Sequence, residues 1–555
     1  MRKATEENLV MLTRRRFLTY LGLGTYGLMQ ANAAAMEKAI FPLPRKHSDW
    51  SPPFRPIQPT NADALTLPPG FKAEIVCSFG DALGSHGPLG PETFGYDNDF
   101  LAYFPIDCLQ GGCNQNEGLL WVNHESANPL FVSKYVSGTV KTAAQVMAEK
   151  RAVGGSVVHV RREGGRWVHV PGSRWTRRFT ALYPEISLTG PVAARVPRAT
   201  GTLANCSGGR TPWFTALSCE ENYMDFNADS GDGEYKEGLR WASVPGQAIN
   251  EEGYGWVVEI DPFGELPPLK HSALGRFAHE NTAMRLGPSG RLVVYMGDDC
   301  PDQYLYKFVS SEQLDRNAPR TEQRKVLSAG TLYAADFAQG RWLPLDFARN
   351  RSLASAGFKD QADVLMRCRE AAAAIKATPI DRPEDCEVHP LDGALYVALT
   401  NNKKHGNLFG QIVRLLEDDD NPEGESFRFE LLLAGGPQTG LACPDNLCFD
   451  RQGNLWVACD MSSSAIGKGA YRSFGNNGFF MVPTRGPAAG EAYQFASGPI
   501  DAELTGPWFI ESGDTLFLSV QHPGAQSPSI EAPTSRWPDG GSSLPRPCVV
   551  AITGF

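Results

Sequence analysis

Apolar residues in this chain fall in short runs bounded by glycine turns, and the runs stop on polar or acidic residues. Residues 118–122 give way to Asn123, His124 and Glu125, and 290–296 to Asp298 and Asp299. Residues 393–399 lead to Asn401 and Asn402, 453–458 to Asp460, and 513–520 to Gln521 and His522. Runs of this length and composition are strands. The turn glycines Gly393, Gly453 and Gly513 lie 60 residues apart, a period that suits the blades of a β-propeller. In a propeller, strand-end polar groups from separate blades meet at a central channel. A β-sandwich would explain the strands but not their repeated polar ending. Residues 156–161 and 166–170 flank Glu163-Gly164-Gly165 and predict a hairpin. Residues 360–377 carry Val364, Leu365, Cys368, Ala372 and Ile375 on one face and predict a helix inserted between strands. The last run, Cys548–Thr553, is expected to close the ring against an early strand.

Domain organisation follows from the two ends. Arg14-Arg15-Arg16-Phe17-Leu18, a short apolar stretch and Ala31-Asn32-Ala33 make residues 1–33 a twin-arginine signal peptide with cleavage near Ala34. That apolar stretch is too short and glycine-rich to span a bilayer well. The expected location is periplasmic or extracellular, reached through the twin-arginine export machinery. Residues 34–66, rich in Pro, Ser and Asn, read as an extended lead-in, and 67–555 as a single β-propeller domain.

Lys and Arg number 52 against 62 Asp and Glu, a formal charge of −10. This argues against a nucleic-acid surface and leaves carboxylates free to hold cations. The 12 cysteines permit disulfides in an exported protein without fixing their connectivity. Cys108 and Cys113 are the best local pair.

Candidate chemistry gathers in a few segments. Residues 213–217 read as a strand running into Cys219-Glu220-Glu221-Asn222. A thiol beside two carboxylates is either a buried cysteine before an acidic loop or a set of mixed sulfur and oxygen metal ligands. His124-Glu125, Asn205-Cys206, His279-Glu280, residues 381–387 and Asp445-Asn446 add donors at strand ends. The loop from Asp225 resembles the start of an EF-hand but has Ser230 at the glycine position and Lys236 at the twelfth, so calcium is not expected there. No G-x-S-x-G elbow, HExxH helix or Walker loop occurs.

These segments, in their order, resemble the PhoX-type alkaline phosphatases: 123–125, 202–206, 211–222, 275–280, 381–384, 400–402, 444–445, 475–477, 504–507 and 520–524. The resemblance covers nearly the whole chain after the signal. It implies an all-β, six-bladed propeller with helical and loop insertions, and an iron–calcium cluster in the channel. It makes Glu125, Glu280 and Glu384 carboxylate ligands and Cys219 the iron thiolate, with Asn205, Glu387 and Asp445 as further candidates. Arg382 and Glu384 are the catalytic candidates, Arg382 as a bidentate phosphate contact. The chain departs from the pattern at Asp385 and Cys386, where bulkier apolar residues are expected, and at Asn446, where glycine is common.

The function implied is hydrolysis of small phosphomonoesters by a monomer, through a metal-bridged oxide or hydroxide, with no protein nucleophile. Two rivals keep the fold: a calcium-dependent lactonase or esterase, and a non-catalytic calcium-stabilised binding propeller. Neither needs a thiolate, so iron content separates them from the phosphatase.

Overall fold

The computed structural model describes residues 50–87, 90–229 and 238–555. The expected signal peptide, residues 1–33, and the end of the acidic loop with Ser230 and Lys236 lie outside them. Six sheets form the blades of a propeller. Blade one holds Asn98–Pro105, Glu117–His124, Gly154–Glu163 and Arg166–His169, the last two being the expected hairpin. Blade two starts at Asn205–Arg210 and Ala216–Glu220, blade three at Ala283–Leu286 and Arg291–Gly297. Blades four and five start at Pro383–Val388 with Leu395–Leu399 and at Pro444–Phe449 with Leu455–Cys459. Blade six takes Glu503–Phe509, Thr515–Gln521 and Cys548–Thr553 from the end of the chain and Lys72–Ser78 from its beginning. Cys548–Thr553 pairs antiparallel with that early strand, Lys72 facing Thr553 and Ser78 facing Cys548, so the ring closes as the sequence predicts.

Between blades the strands bury aromatic and branched side chains, with Trp121, Trp167, Trp213, Trp256 and Trp342 essentially inaccessible. Each such side chain stabilises the fold by about 1.5–3 kcal/mol. The lead-in residues 50–66 run along blades five and six. Ile57 N donates to Gln494 O, Thr66 bridges Ser497, and Phe54 enters the core.

Two local expectations change. The predicted helix over 360–377 is two short helices, Gln361–Met366 and Cys368–Ala374. Arg367 leaves the helical region between them (φ −126°, ψ 46°). Val364, Leu365, Cys368 and Ala372 still face the core. The strand expected from Trp213 begins only at Ala216. The Thr211 carbonyl and hydroxyl bind Phe214 N and Thr215 N, closing a turn that puts Phe214 at φ 59°.

Candidate metal centre

In five blades the first two strands form a hairpin whose open end lies at the channel mouth. Asn98 faces His124, Asn205 faces Glu220, Pro383 faces Leu399, Pro444 faces Cys459 and Glu503 faces Gln521. The pairing slips within three residues of that end, between Asn98 and Leu101, Asn205 and Gly208, Pro383 and Cys386, Pro444 and Leu447, and Thr505 and Trp508. A bulge re-aims the side chains within it. Asp99, Cys206, Glu384 and Asp445 all sit inside these slips. Glu125 and Glu221 follow the paired second strands, and Glu280 precedes blade three.

Three groups of potential ligand atoms result, each within 4.8 Å of one another: Asp99, Glu125 and Cys206; Cys206, Glu221 and Glu280; and Glu280, Glu384 and Asp445. Cys206 and Glu280 are shared, so the groups form one string. The Cys206 thiol lies 3.1 Å from Asp99 Oδ2 and 3.3 Å from Glu280 Oε2. Gln521 Nε2 donates to Glu125 Oε2 at 2.7 Å. Asn446 Nδ2 donates to Asp445 Oδ1 at 2.9 Å and to Glu280 Oε1 at 3.4 Å, while its own oxygen accepts from Gly506 N at 2.7 Å.

The electrostatics of the string fit a cation. Burial, then the neighbouring charges of Asp445 and others, raises Asp99 and Glu280 well above the carboxylate range. Burial raises Glu384 likewise, although Arg382 opposes it. Burial and the charges of Asp460 and Asp299 push Asp445 up to about 7 despite a hydrogen bond with Glu384. Burial and the surrounding carboxylates hold the Cys206 thiol protonated. Asp99 Oδ1 and Asp460 Oδ1 are buried without a hydrogen-bond donor. A metal ion held there would supply the missing positive charge, ionise the thiol and take up the free lone pair of Asp99 Oδ1.

Arg382 borders the string. Its guanidinium makes a two-pronged contact with Asp299 at 2.8 and 2.7 Å, and lies 2.6 Å from Glu384 Oε1 and 3.3 Å from Asp460 Oδ2. Its backbone φ is 47°, a conformation that costs a non-glycine residue about 1–3 kcal/mol and that clusters at functional sites.

Of the residues singled out in the sequence, Glu125, Glu280, Glu384 and Asp445 belong to the string. Cys219, Asn205 and Glu387 do not. Strand alternation puts Cys219 on the same face as Leu217, within the buried core that also holds Trp256 and Met296, and burial, then the charges of Glu280, Asp385, Glu220 and Glu221, keeps its thiol protonated. Cys206 stands where that thiol was expected. Asn205 is held by its own neighbours: its amide donates to Thr202 Oγ1 and Ser218 Oγ at 2.8 and 2.7 Å. Glu387 is three residues beyond Glu384, roughly 10 Å further along the strand. It is half-buried there, its carboxyl pushed up to about 8 by burial. The sequence reading names Glu221 only within the segment 219–222 and does not single out Asp99. The signal for both was present: one polar residue at the start of a first strand and one after the end of the second, repeated blade by blade. The histidines beside the glutamates are structural. His124 is bound to Tyr96 O and Ser156 Oγ, and His279 binds Gly275 O, stacks on Phe277 and is lowered by burial to about 3.

The family model for alkaline phosphatase PhoX matches residues 52–524. Among solved structures, Pseudomonas fluorescens PhoX in complex with vanadate, a transition state analogue, superposes with a TM-score of 0.76 at 32% identity, over 90% of this chain and 97% of that one. A Dyadobacter fermentans protein of unknown function reaches a TM-score of 0.40 at 10% identity, covering 87% of this chain and 99% of its own. The gluconolactonase XC5397 from Xanthomonas campestris reaches 0.28 at 12%, covering 85% and 99%. No curated protein matches the sequence.

Proposed function

Because this chain belongs to the PhoX alkaline phosphatase family and is a phosphomonoester hydrolase, we propose that the string of carboxylates around Cys206 is its metal centre, and that the metals are calcium and iron. The observation that carries this reading is one thiol set among buried, mutually repelling carboxylates. Asp99, Glu125, Glu221, Glu280, Glu384 and Asp445 would supply the oxygens that calcium takes, and Cys206 the soft donor that favours iron. Bound there, the metals supply Lewis acidity toward the phosphoryl oxygens and the leaving group.

The protein's own part is to hold and neutralise the phosphoryl group. Arg382 brings a planar guanidinium fork to the edge of the string, and a phosphoryl group would meet it by replacing one of its present carboxylate contacts. Asp299 and Asp460 hold that fork in place, and Glu384 keeps its charge at the edge of the string. Asn446 and Gln521 orient Asp445, Glu280 and Glu125 from behind. Burial of these groups leaves little competing water, which strengthens each charge contact.

Elemental analysis of protein from a twin-arginine-competent host tests the reading. Both calcium and iron are expected, with orthovanadate inhibiting p-nitrophenyl phosphate hydrolysis. Full activity in iron-free protein would remove iron from the scheme. Export by the twin-arginine route belongs to the same proposal. Replacing Arg14, Arg15 and Arg16 by Lys should strand activity in the cytoplasm, and unaltered export would count against it.

A further inference from the structure

Arg382 carries two constraints that oppose its conformation. It is an L-residue at φ 47°, and it precedes Pro383, which steers its neighbour toward extended backbone. Such a conformation persists only where the surroundings over-determine it. On its C-terminal side, the Arg382 carbonyl accepts from Thr400 N at 3.1 Å. On the other side stands Asp381, fully buried, with both oxygens engaged. His405 Nδ1 lies 2.6 Å from Asp381 Oδ1, and Asn407 Nδ2 donates to Oδ2 at 3.0 Å.

The second ring nitrogen of His405 reaches a different loop. Nε2 lies 3.1 Å from Asp302 Oδ1, and Asp302 also sits in the left-handed region, at φ 66°. Asn402 Nδ2 and Lys404 Nζ meet the same carboxylate at 3.0 and 3.2 Å. Pro301–Gln303 and Ile380–Asp381 form a small two-stranded sheet, Pro301 opposite Asp381 and Gln303 opposite Ile380. The imidazole therefore pins the two strands of that sheet through one carboxylate on each. It is itself carried on a closed loop: Asn402 and Asn407 exchange backbone hydrogen bonds at 2.7 and 3.1 Å, and the Asn402 side chain caps Lys404 N at 3.1 Å.

We infer that His405 is a positioning residue for the phosphoryl contact: by clamping Asp381 to Asp302 it holds Arg382 in its left-handed conformation and so aims the guanidinium at the substrate. The inference rests on the reading of Arg382 proposed above. His405 acts through Asp381 and the backbone, and its contacts run to carboxylates outside the metal string.

A double-mutant cycle tests it, using H405A, R382A and the combined variant as full-length metal-loaded protein. The readouts are kcat and KM for p-nitrophenyl phosphate, the inhibition constant of orthovanadate, and metal content. H405A is expected to lose about tenfold in kcat/KM, to weaken vanadate inhibition by a similar factor, and to keep its metals. In the R382A background the same change should cost less than about twofold, because the guanidinium it positions is gone. H405Q, which can still reach one carboxylate, should recover part of the loss, and it replaces H405A in the cycle if the alanine variant does not fold. Equal losses in both backgrounds would make His405 a structural residue only and overturn the inference. No loss in the parent background would also overturn it while leaving Arg382's role intact. An R382A variant with unaltered vanadate inhibition would remove the phosphoryl contact, and the inference with it.

Discussion

Blade two holds buried carboxylates of two kinds. Glu259, in the core of the blade, is saturated. Trp213 Nε1 and Thr215 Oγ1 donate to Oε1 at 2.7 Å each, and His271 Nε2 and Arg324 Nε meet Oε2 at 2.9 and 2.8 Å. Burial alone would raise its carboxyl, but the hydrogen bonds and charges of His271 and Arg324, with Trp213, outweigh burial and lower it to about 2. At the channel mouth Glu221 and Cys206 belong instead to a string in which burial pushes Cys206, Asp99, Glu280, Glu384 and Asp445 upward. Burial is the same in both places; the donor supply differs. A polar cluster that serves the fold is completed from within the chain, whereas one that serves a ligand is left incomplete.

The strongest way to break this comparison is at the string. Glu280→Gln should lower kcat for p-nitrophenyl phosphate by about 10²–10³-fold and lower the bound metal, because Glu280 joins two of the three groups. Steady-state rates and metal content on the same preparation check it. Near-parent activity would mean that Glu280 is not part of the centre.

Glu259→Gln should act the other way, on folding and not on turnover. It leaves His271 and Arg324 without their carboxylate in the core and should cost about 3–5 kcal/mol in denaturant unfolding. The folded fraction should keep its kcat. The same group sets an acid limit. Its folded pKa lies below the unfolded value, so its contribution is complete above pH 4.5 and is lost as pH falls toward 2.

The string predicts the opposite slope in metal-stripped protein. Asp445 has a folded pKa of about 7, above its unfolded value. Its ionisation therefore penalises the folded state increasingly as pH rises from 3.8 to 7 and fully above that. The thermal midpoint of chelated protein should fall between pH 5 and pH 8, and calcium should abolish the fall. A flat profile without metal would place Asp445 outside a strained cluster.

The smallest effect sharpens the choice between thiols. Cys219→Ser puts a hydroxyl on a core face and should cost about 1–2 kcal/mol, with iron, the visible absorption expected of an iron thiolate, and activity retained. Cys206→Ser should lose all three. If the losses fall on Cys219→Ser instead, the iron thiolate is the one expected from the sequence.

Much of this was legible before folding. Glycine-bounded apolar runs define strands because a strand must bury alternate side chains and turn where a backbone permits it, and both constraints are local. The pairing of Cys548–Thr553 with an early strand was legible too, since a ring needs closure. Glu125, Glu280, Glu384 and Asp445 could be picked out because their segments, weak one by one, match in order the motifs of the PhoX-type alkaline phosphatases. What only the tertiary structure decided is which face each donor takes. The slips that turn Asp99 and Cys206 into the channel arise from pairing between strands, and a one-residue change of register reverses every side chain. Cys219 sits on a strand that ends in the right place, and alternation alone sends its sulfur into the core. The clamp proposed for Arg382 was equally hidden, because Asp302 and Asp381 come from the two strands of a small sheet and His405 from a separate loop, and these meet only when the blades stand side by side.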